Sequence, residues 1–367
     1  MGHFPHSAGL ILLLLCGSIL MTSAKTLVPA NHPFLQYHGR WDTTDPLHPR
    51  HSWPGVSLIA AFTGTSVGIR MDDATNYYNV FIDGTLHAVF HGTSRGETDY
   101  TLADSLLPGN HVLVFSKRNI AFDEVFSVGG LLLNDNERLL PPPPLPPRKI
   151  EFIGDSFAAA ESNEATAQSL EWKDRFPVTN IDKGFGPLLA RNLDAEYHMT
   201  CRSGSGMFCD WQGDRELTIP KRFDRTLMER AEPAWDFSRW VPDMVVIALG
   251  LNDHAGLRDK DGNVTEEKSR EFLDTYHAFV QKLRSVYPGV RIVAVALWVP
   301  WVRSTVHRLV EEEKEKGNAD IVYVQYDEFP GRYVANGHPT VETHARIAQQ
   351  LTAAITASGI LAGLPPR

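Results

Sequence analysis

Four residues scattered along the chain have the types that acyl transfer requires. Ser156 ends the run Ile150-Glu-Phe-Ile-Gly-Asp-Ser, and Gly204 lies in Ser203-Gly-Ser-Gly206. Asn252 follows Gly250-Leu251, and His338 stands in Gly337-His-Pro-Thr340. A serine hydroxyl is a weak nucleophile until a base takes its proton. Histidine suits that role because it titrates near neutrality. Attack on an ester carbonyl creates an oxyanion, and losing one preorganised N–H donor to it costs about 3–4 kcal/mol of barrier. The Ser156 and Gly204 backbone N–H groups and the Asn252 side-chain amide are the candidate donors. Taken singly, each residue has an ordinary alternative: Ser156 as a helix cap, Asn252 and Asp253 as turn residues or caps, His338 as a loop histidine, Gly204 as a tight turn.

The elements around them argue for joint placement. After residue 148, the apolar runs KIEFIGDS, PDMVVIALG, VRIVAVALW and DIVYVQY alternate with the helical-period stretches GFGPLLARNL, SREFLDTYHAFVQKLRSVYP, WVRSTVHRLVEEEKEKG and VETHARIAQQLTAAI. That alternation predicts a parallel sheet flanked by helices. Active groups in such sheets collect at the carboxyl ends of the strands. Ser156 and Asn252 fall there, and the small residues after Ser156 read as a helix start. Upstream, GVSLIAAFTG, SVGIRM, YYNVFIDG, LHAVFHG, HVLVFSKR and SVGGLLL are short strand-like runs with turn signals between them, which predicts a β-sandwich. PPPPLPP at 141–147 reads as an extended polyproline spacer. The expected plan is a 1–24 leader, a 25–140 β-sandwich, a 141–148 linker and a 149–367 α/β domain.

The net charge of −9 argues against a nucleic-acid partner, which needs a basic face. Residues 9–21 form an apolar core short for a membrane span, followed by small residues up to Ala24. This reads as a cleaved secretory signal, with a retained anchor as the alternative, and predicts an extracellular protein with no membrane association after cleavage. Cys201 and Cys209 either pair in an oxidising compartment or stay as buried thiols. Two cysteines with no third ligand make a poor zinc site, so no metal is expected. Asn263-Val-Thr265 is a glycan acceptor. Trp211, Trp298 and Trp301 follow predicted strand ends and are candidate sugar platforms, with core packing as the alternative. Trp240 and His344 read as packing residues, and His254 as a cleft residue with no metal partner.

GDS at Ser156, SGSG at Gly204, GLND at Asn252 and HPT at His338 resemble the four blocks of the SGNH, or GDSL-type, hydrolases. The upstream HGRW, SWPGVSLIAAFTGTSV, YYNVFIDG and LPGNHVLVFSKR, with WDFSRWVPDMVVIALGLND, resemble carbohydrate esterase family 2 and its N-terminal jelly roll. The resemblance implies a flavodoxin-like catalytic domain and a secreted, monomeric serine esterase. Its action would be to remove O-acetyl groups from plant polysaccharides such as xylan and glucomannan. Ser156 would be the nucleophile, His338 the base and then acid, and Ser156, Gly204 and Asn252 the oxyanion hole, with no cofactor. Two alternatives remain: an esterase for small acyl groups or lipids, and a polysaccharide-binding protein that has lost activity.

The chain also departs from the family pattern. The superfamily places Asp three residues before the histidine, and some relatives two before; here those positions are Ala335 and Asn336. The expectation is therefore a Ser156–His338 dyad with a backbone carbonyl of 334–336 holding the ring; Asp327, the nearest preceding acid, ends an earlier strand and would have to reach back to serve. The AAAESNEA stretch replaces the family's Gly and aromatic, and Glu161 or Glu164 either faces the site's entrance or, the more ordinary outcome, is an exposed helix carboxylate.

Overall fold

The computed structural model describes residues 25–122, 124–329 and 333–364. The expected leader, 1–24, lies outside the described residues.

Residues 25–140 fold into two antiparallel sheets. One holds Lys25–Pro29, Phe126–Asn134, Val67–Asp73 and Ser94–Ala103 in that order, with Arg50–His51 beside Phe126–Asn134. The other holds Leu139–Leu140, Ser57–Gly64, Gly109–Lys117, Tyr77–Ile82 and Thr85–His91, with Gln36–His38 beside Ser57–Gly64. Side chains two apart share a face. Val67, Ile69 and Met71 from one sheet and Leu58, Ala60 and Phe62 from the other are buried in one shared cluster. The turn between Tyr77–Ile82 and Thr85–His91 has Asp83 at φ 52° and Gly84 at φ 77°, the positive pair that a two-residue hairpin loop needs. Ser94–Ala103 gave no sequence signal. It is a largely exposed edge strand, so its polar residues need no alternation.

The second part is a five-stranded parallel sheet. Its strands are β1 (Arg148–Gly154), β2 (Ala195–Cys201), β3 (Met244–Ala248), β4 (Arg291–Ala296) and β5 (Ile321–Gln325), ordered β2-β1-β3-β4-β5. This is the flavodoxin-like order. The helices are α1 (Phe185–Asn192), α2 (Leu251–Leu257), α3 (Glu266–Val286), α4 (Pro300–Glu315) and α5 (Val341–Ala357). Alternate residues of the strands serve opposite faces: Phe152, Val246 and Val293 pack with α1 and α5, Ile153, Val245 and Ile292 with α3 and α4. The sequence reading missed β2, whose Glu196, His198 and Thr200 break the apolar run. All three are nevertheless buried. His198 stacks on Trp240, centroids 3.6 Å apart, and Thr200 donates to the Glu151 carboxylate.

The proline run does not separate two independent halves. One hydrophobic cluster runs through both parts. Arg40 of the sandwich pairs at 2.9 Å with Glu151 inside β1, and both are buried. Met228 N donates to Ser52 Oγ at 2.7 Å, and Asn79 Nδ2 to Asp182 at 2.7 Å. Burying the Arg40–Glu151 pair has a desolvation cost. The Glu151 Oε2 and Arg40 Nε atoms have no hydrogen-bond partner among the described residues, so that cost is only partly offset, and removing one partner alone would leave an uncompensated charge. Arg148 already belongs to β1, one residue inside the expected linker.

Candidate active site

β1 delivers Ser156 into a sequence of turns. Gly154 is required by packing, since a Cβ there would lie 2.4 Å from the Ala158 Cβ. Asp155 Oδ1 accepts Phe157 N at 2.9 Å, and Ser156 O accepts Glu161 N at 3.0 Å. The expected helix does not form here. Ala160 and Ser162 instead adopt φ 53° and 56°, a left-handed conformation unfavourable for side chains other than glycine. Long-range bonds impose it: Ser162 N to Thr179 Oγ1 at 2.9 Å, and Asn163 and Asn180 exchanging two bonds of 2.9 Å. Tertiary hydrogen bonding here overrides the helix propensity of the three alanines.

His338 sits on a two-residue strand paired with Tyr333–Val334, just before the Thr340 cap of α5. Its Nδ1 lies 2.8 Å from Ala335 O. That carbonyl falls within the 334–336 segment expected to orient the ring, and it fixes the proton on Nδ1, so Nε2 is free to act as base. The imidazole packs 5.8 Å from the Phe157 ring, and Nε2 is 3.8 Å from Glu161 Oε1. Val341 N bonds Asn163 O at 3.1 Å. The histidine turn therefore lies directly on the Ser156–Asn163 loop, and Ser156 and His338 are both 8% exposed.

Gly204 follows β2 with φ 78°, and a Cβ on it would come within 3.2 Å of Trp211. Among the described residues, no hydrogen bond uses the Ser156 N–H or the Gly204 N–H. Asn252 projects from the start of α2 after β3. Its Nδ2 donates to Asp155 Oδ2 at 3.1 Å and to Ser205 O at 2.9 Å. Both amide hydrogens are thus engaged, so donating to an oxyanion means sharing or exchanging one of these bonds. Burial, helped by the nearby Asp253 and Glu161 charges, pushes the Asp155 carboxyl up to about 7.

Asp253 is a clamp rather than a turn residue. Its buried carboxylate accepts Met207 N at 2.9 Å, Phe208 N at 2.6 Å and Cys209 N at 3.1 Å. Burial outweighs those three donors and raises it to about 6. A Cβ on Gly206 would fall 2.1 Å from Cys209 O and 2.4 Å from Asp253 Oδ2, so only glycine passes beneath the clamp. The sequence signal for the clamp was the adjacency of Asp253 to Asn252, read as capping.

Other expectations need correction. Cys201 and Cys209 are free buried thiols, so the pairing alternative fails. They belong to the cores on opposite faces of the sheet. Glu161 and Glu164 are not exposed helix carboxylates: Glu161 is buried and bonded to Arg175 at 2.6 Å, and Glu164 pairs with Arg118 and Lys183. Of the tryptophans, Trp211 is 56% exposed beside Gly204. Trp298 stands between Phe157 and Tyr333, at 5.7 and 5.4 Å. Trp301 instead packs on Phe272 and His254 and donates to Ser269 Oγ at 2.9 Å. Asp327 engages Arg303 and Gln350. Asn263 is exposed in the turn before α3. Among the described residues, no group of three or more His, Cys, Asp or Glu is placed to hold a metal ion.

Comparison with known proteins gives the family. Residues 37–143 match the carbohydrate esterase 2 N-terminal family model. An acetylxylan esterase / glucomannan deacetylase of Cellvibrio japonicus is 30% identical over 65% of this chain and 66% of its own. The chain belongs to carbohydrate esterase family 2. The cellulase/esterase CelE of Acetivibrio thermocellus is also 30% identical, over 89% of this chain, which spans only 39% of that longer relative. A family two carbohydrate esterase from Clostridium thermocellum, solved in complex with cellohexaose, superposes with a TM-score of 0.79 at 28% identity, covering 88% of this chain and 98% of the other. The Cellvibrio japonicus family two structure gives 0.81 at 25% identity, over 92% and 98%.

Proposed function

We propose that this protein is a secreted serine esterase that removes O-acetyl groups from plant-type polysaccharides such as xylan and glucomannan. The observation that carries the reading is the imidazole tethered through Nδ1 to Ala335 O on the Ser156 loop, with the unbonded Ser156 and Gly204 N–H groups beside the nucleophile. The names of the Cellvibrio relatives support the substrate class.

In the first half-reaction, Ser156 Oγ attacks the acetyl carbonyl carbon while His338 Nε2 takes the hydroxyl proton. The developing oxyanion is met by the Ser156 and Gly204 N–H groups and by Asn252 once its amide exchanges a bond. Collapse breaks the bond to the sugar oxygen, which leaves with the proton from Nε2. Acetyl-Ser156 remains. Water then gives its proton to Nε2 and attacks the acetyl carbon, and acetate leaves as the proton returns to Oγ. The Ala335 carbonyl orients the ring throughout, in the place that a carboxylate occupies in a triad.

The test is acetate release from acetylated xylan and glucomannan, with p-nitrophenyl acetate and a longer acyl ester alongside. Ser156→Ala and His338→Ala are each expected to reduce kcat on the order of 10⁴-fold or more while folding normally. Turnover undiminished in Ser156→Ala, or a preference for the long acyl ester, overturns the proposal.

A further inference from the structure

A second aromatic site lies where the sandwich meets the catalytic part. A cavity of about 390 Å³ is lined by Tyr77, His91, Phe122, Trp172 and Phe176, with Thr75, Glu124 and Lys173 supplying polar groups. It is built from two stacked pairs. Tyr77 lies on His91 at 4.1 Å, nearly parallel, and Phe122 lies on Trp172 at 4.4 Å. Phe176 meets the edge of Trp172 at 5.3 Å and is buried beneath. The sandwich supplies Tyr77, His91 and Phe122, and the loop after Ser156 supplies Trp172 and Phe176.

This cavity is mechanically tied to the catalytic histidine. The loop carrying Trp172 is pinned at its start to the histidine turn, Ala335 N to Ala167 O at 2.9 Å and Asn336 N to Gln168 O at 2.8 Å. At its end, Arg175 bonds Glu161, whose other neighbour is His338 Nε2. On the far side, the Arg202 guanidinium stacks 4.3 Å from the Phe122 ring, two residues before Gly204. The aromatic cavity is therefore linked to both the imidazole and the oxyanion glycine.

We propose that this cavity is a subsite for the polysaccharide backbone, holding unacetylated sugar units some distance along the chain from the ester being cleaved. The inference rests on the esterase reading and extends it, making the β-sandwich part of the substrate-binding surface. Flat aromatic faces match the apolar faces of pyranose rings, and the Glu124, Lys173 and Thr75 side chains match their hydroxyls. Glu124 is already paired with Arg95, so its remaining acceptor capacity, with Lys173 and Thr75, is what a purely apolar ligand would leave unused. The occupant is thus a neutral, hydroxyl-rich chain.

The experiment compares kcat/KM for acetylated xylo-oligosaccharides of two and six sugars, with p-nitrophenyl acetate as a chain-free reference. Phe122→Ala removes one wall, and Thr75→Trp fills the cavity without removing a packing residue. The wild type should favour the six-sugar ester through a lower KM. Either variant should erase about tenfold of that advantage, the size of a single aromatic contact, and Thr75→Trp, which leaves the Phe122–Arg202 stack and the histidine turn in place, should leave p-nitrophenyl acetate turnover unchanged. Folded variants that retain the long-chain advantage, or a wild type without one, overturn the proposal. Calorimetric binding of unacetylated xylohexaose and cellohexaose separates this failure from failure of the esterase reading. Binding to the wild type that is lost in Thr75→Trp supports the subsite even without turnover, and equal binding to both refutes it.

Discussion

Asp253 offers a quantitative test of how the oxyanion glycine is held in place. Its carboxylate accepts the N–H groups of Met207, Phe208 and Cys209, and it is wholly buried. Asp253→Ala leaves three buried donors unpaired, at about 1–3 kcal/mol each, a gross loss of about 6 kcal/mol at the midpoint. The substitution also relieves a cost. The rise of the carboxyl from 3.8 to about 6 is about 2 units, or about 3 kcal/mol at 1.36 kcal/mol per unit, by which the folded protein disfavours the ionised form. The net expectation near pH 7.5 is a destabilisation of about 3 kcal/mol. Asp253→Asn keeps one acceptor oxygen and should fall between wild type and alanine. Urea unfolding measures stability, and kcat on p-nitrophenyl acetate, scaled to folded protein, measures placement of Gly204. A tenfold or larger kcat loss is expected as the 203–209 loop relaxes, since small misplacements of donors are costly in rate. Asp253→Ala with unchanged stability would refute the clamp. Lost stability with full kcat per folded molecule would refute its link to catalysis.

Three further outcomes follow from the same structure. Asp327→Asn should leave acetyl ester turnover within about twofold, less than 1 kcal/mol of barrier, because Asp327 is engaged by Arg303 and Gln350; a near-complete loss in a folded variant would restore a triad. His344 is buried, accepts Phe185 N through Nδ1, and is pushed down to about 3 by burial. Its neutral form therefore contributes stability above pH 6.5 that is lost as pH falls toward 3. His344→Gln should cost stability at pH 7, with the cost about 2 kcal/mol smaller at pH 5, 1.5 units below the unfolded value; a cost constant with pH in urea titrations contradicts this. Cys201 and Cys209 should both react with a thiol reagent after denaturation without reductant; an unreactive pair would show a disulfide.

Much of the fold was legible because its signals are local. Alternating apolar residues marked the inner strands of the sandwich, and apolar runs between helical periods marked four of the five parallel strands. The fifth, β2, escaped because one of its two buried faces is polar: Glu196, His198 and Thr200 interrupt the apolar Ala195, Met199 and Cys201 and are buried against partners distant in sequence. The 155–163 segment was misread for a related reason. Three alanines favour a helix, but bonds to Thr179 and Asn180 hold Ala160 and Ser162 at positive φ. The same long-range network buried Glu161 and Glu164, which local reading left in solvent.

The sequence alone determined the order of most elements and which side chains have reactive groups, because strand and helix periodicity and residue chemistry are written position by position. It also marked the absence of a carboxylate before His338. A backbone carbonyl of 334–336 was the expected replacement, and only the tertiary structure decided that it is Ala335's, since a carbonyl exists at every position and residue type does not tell one from the next. The Asp253 clamp, the engaged amide of Asn252 and the aromatic cavity shared by both parts were decided there too. Each depends on groups dozens or hundreds of residues apart, and their free energies arise only once folding excludes water between them.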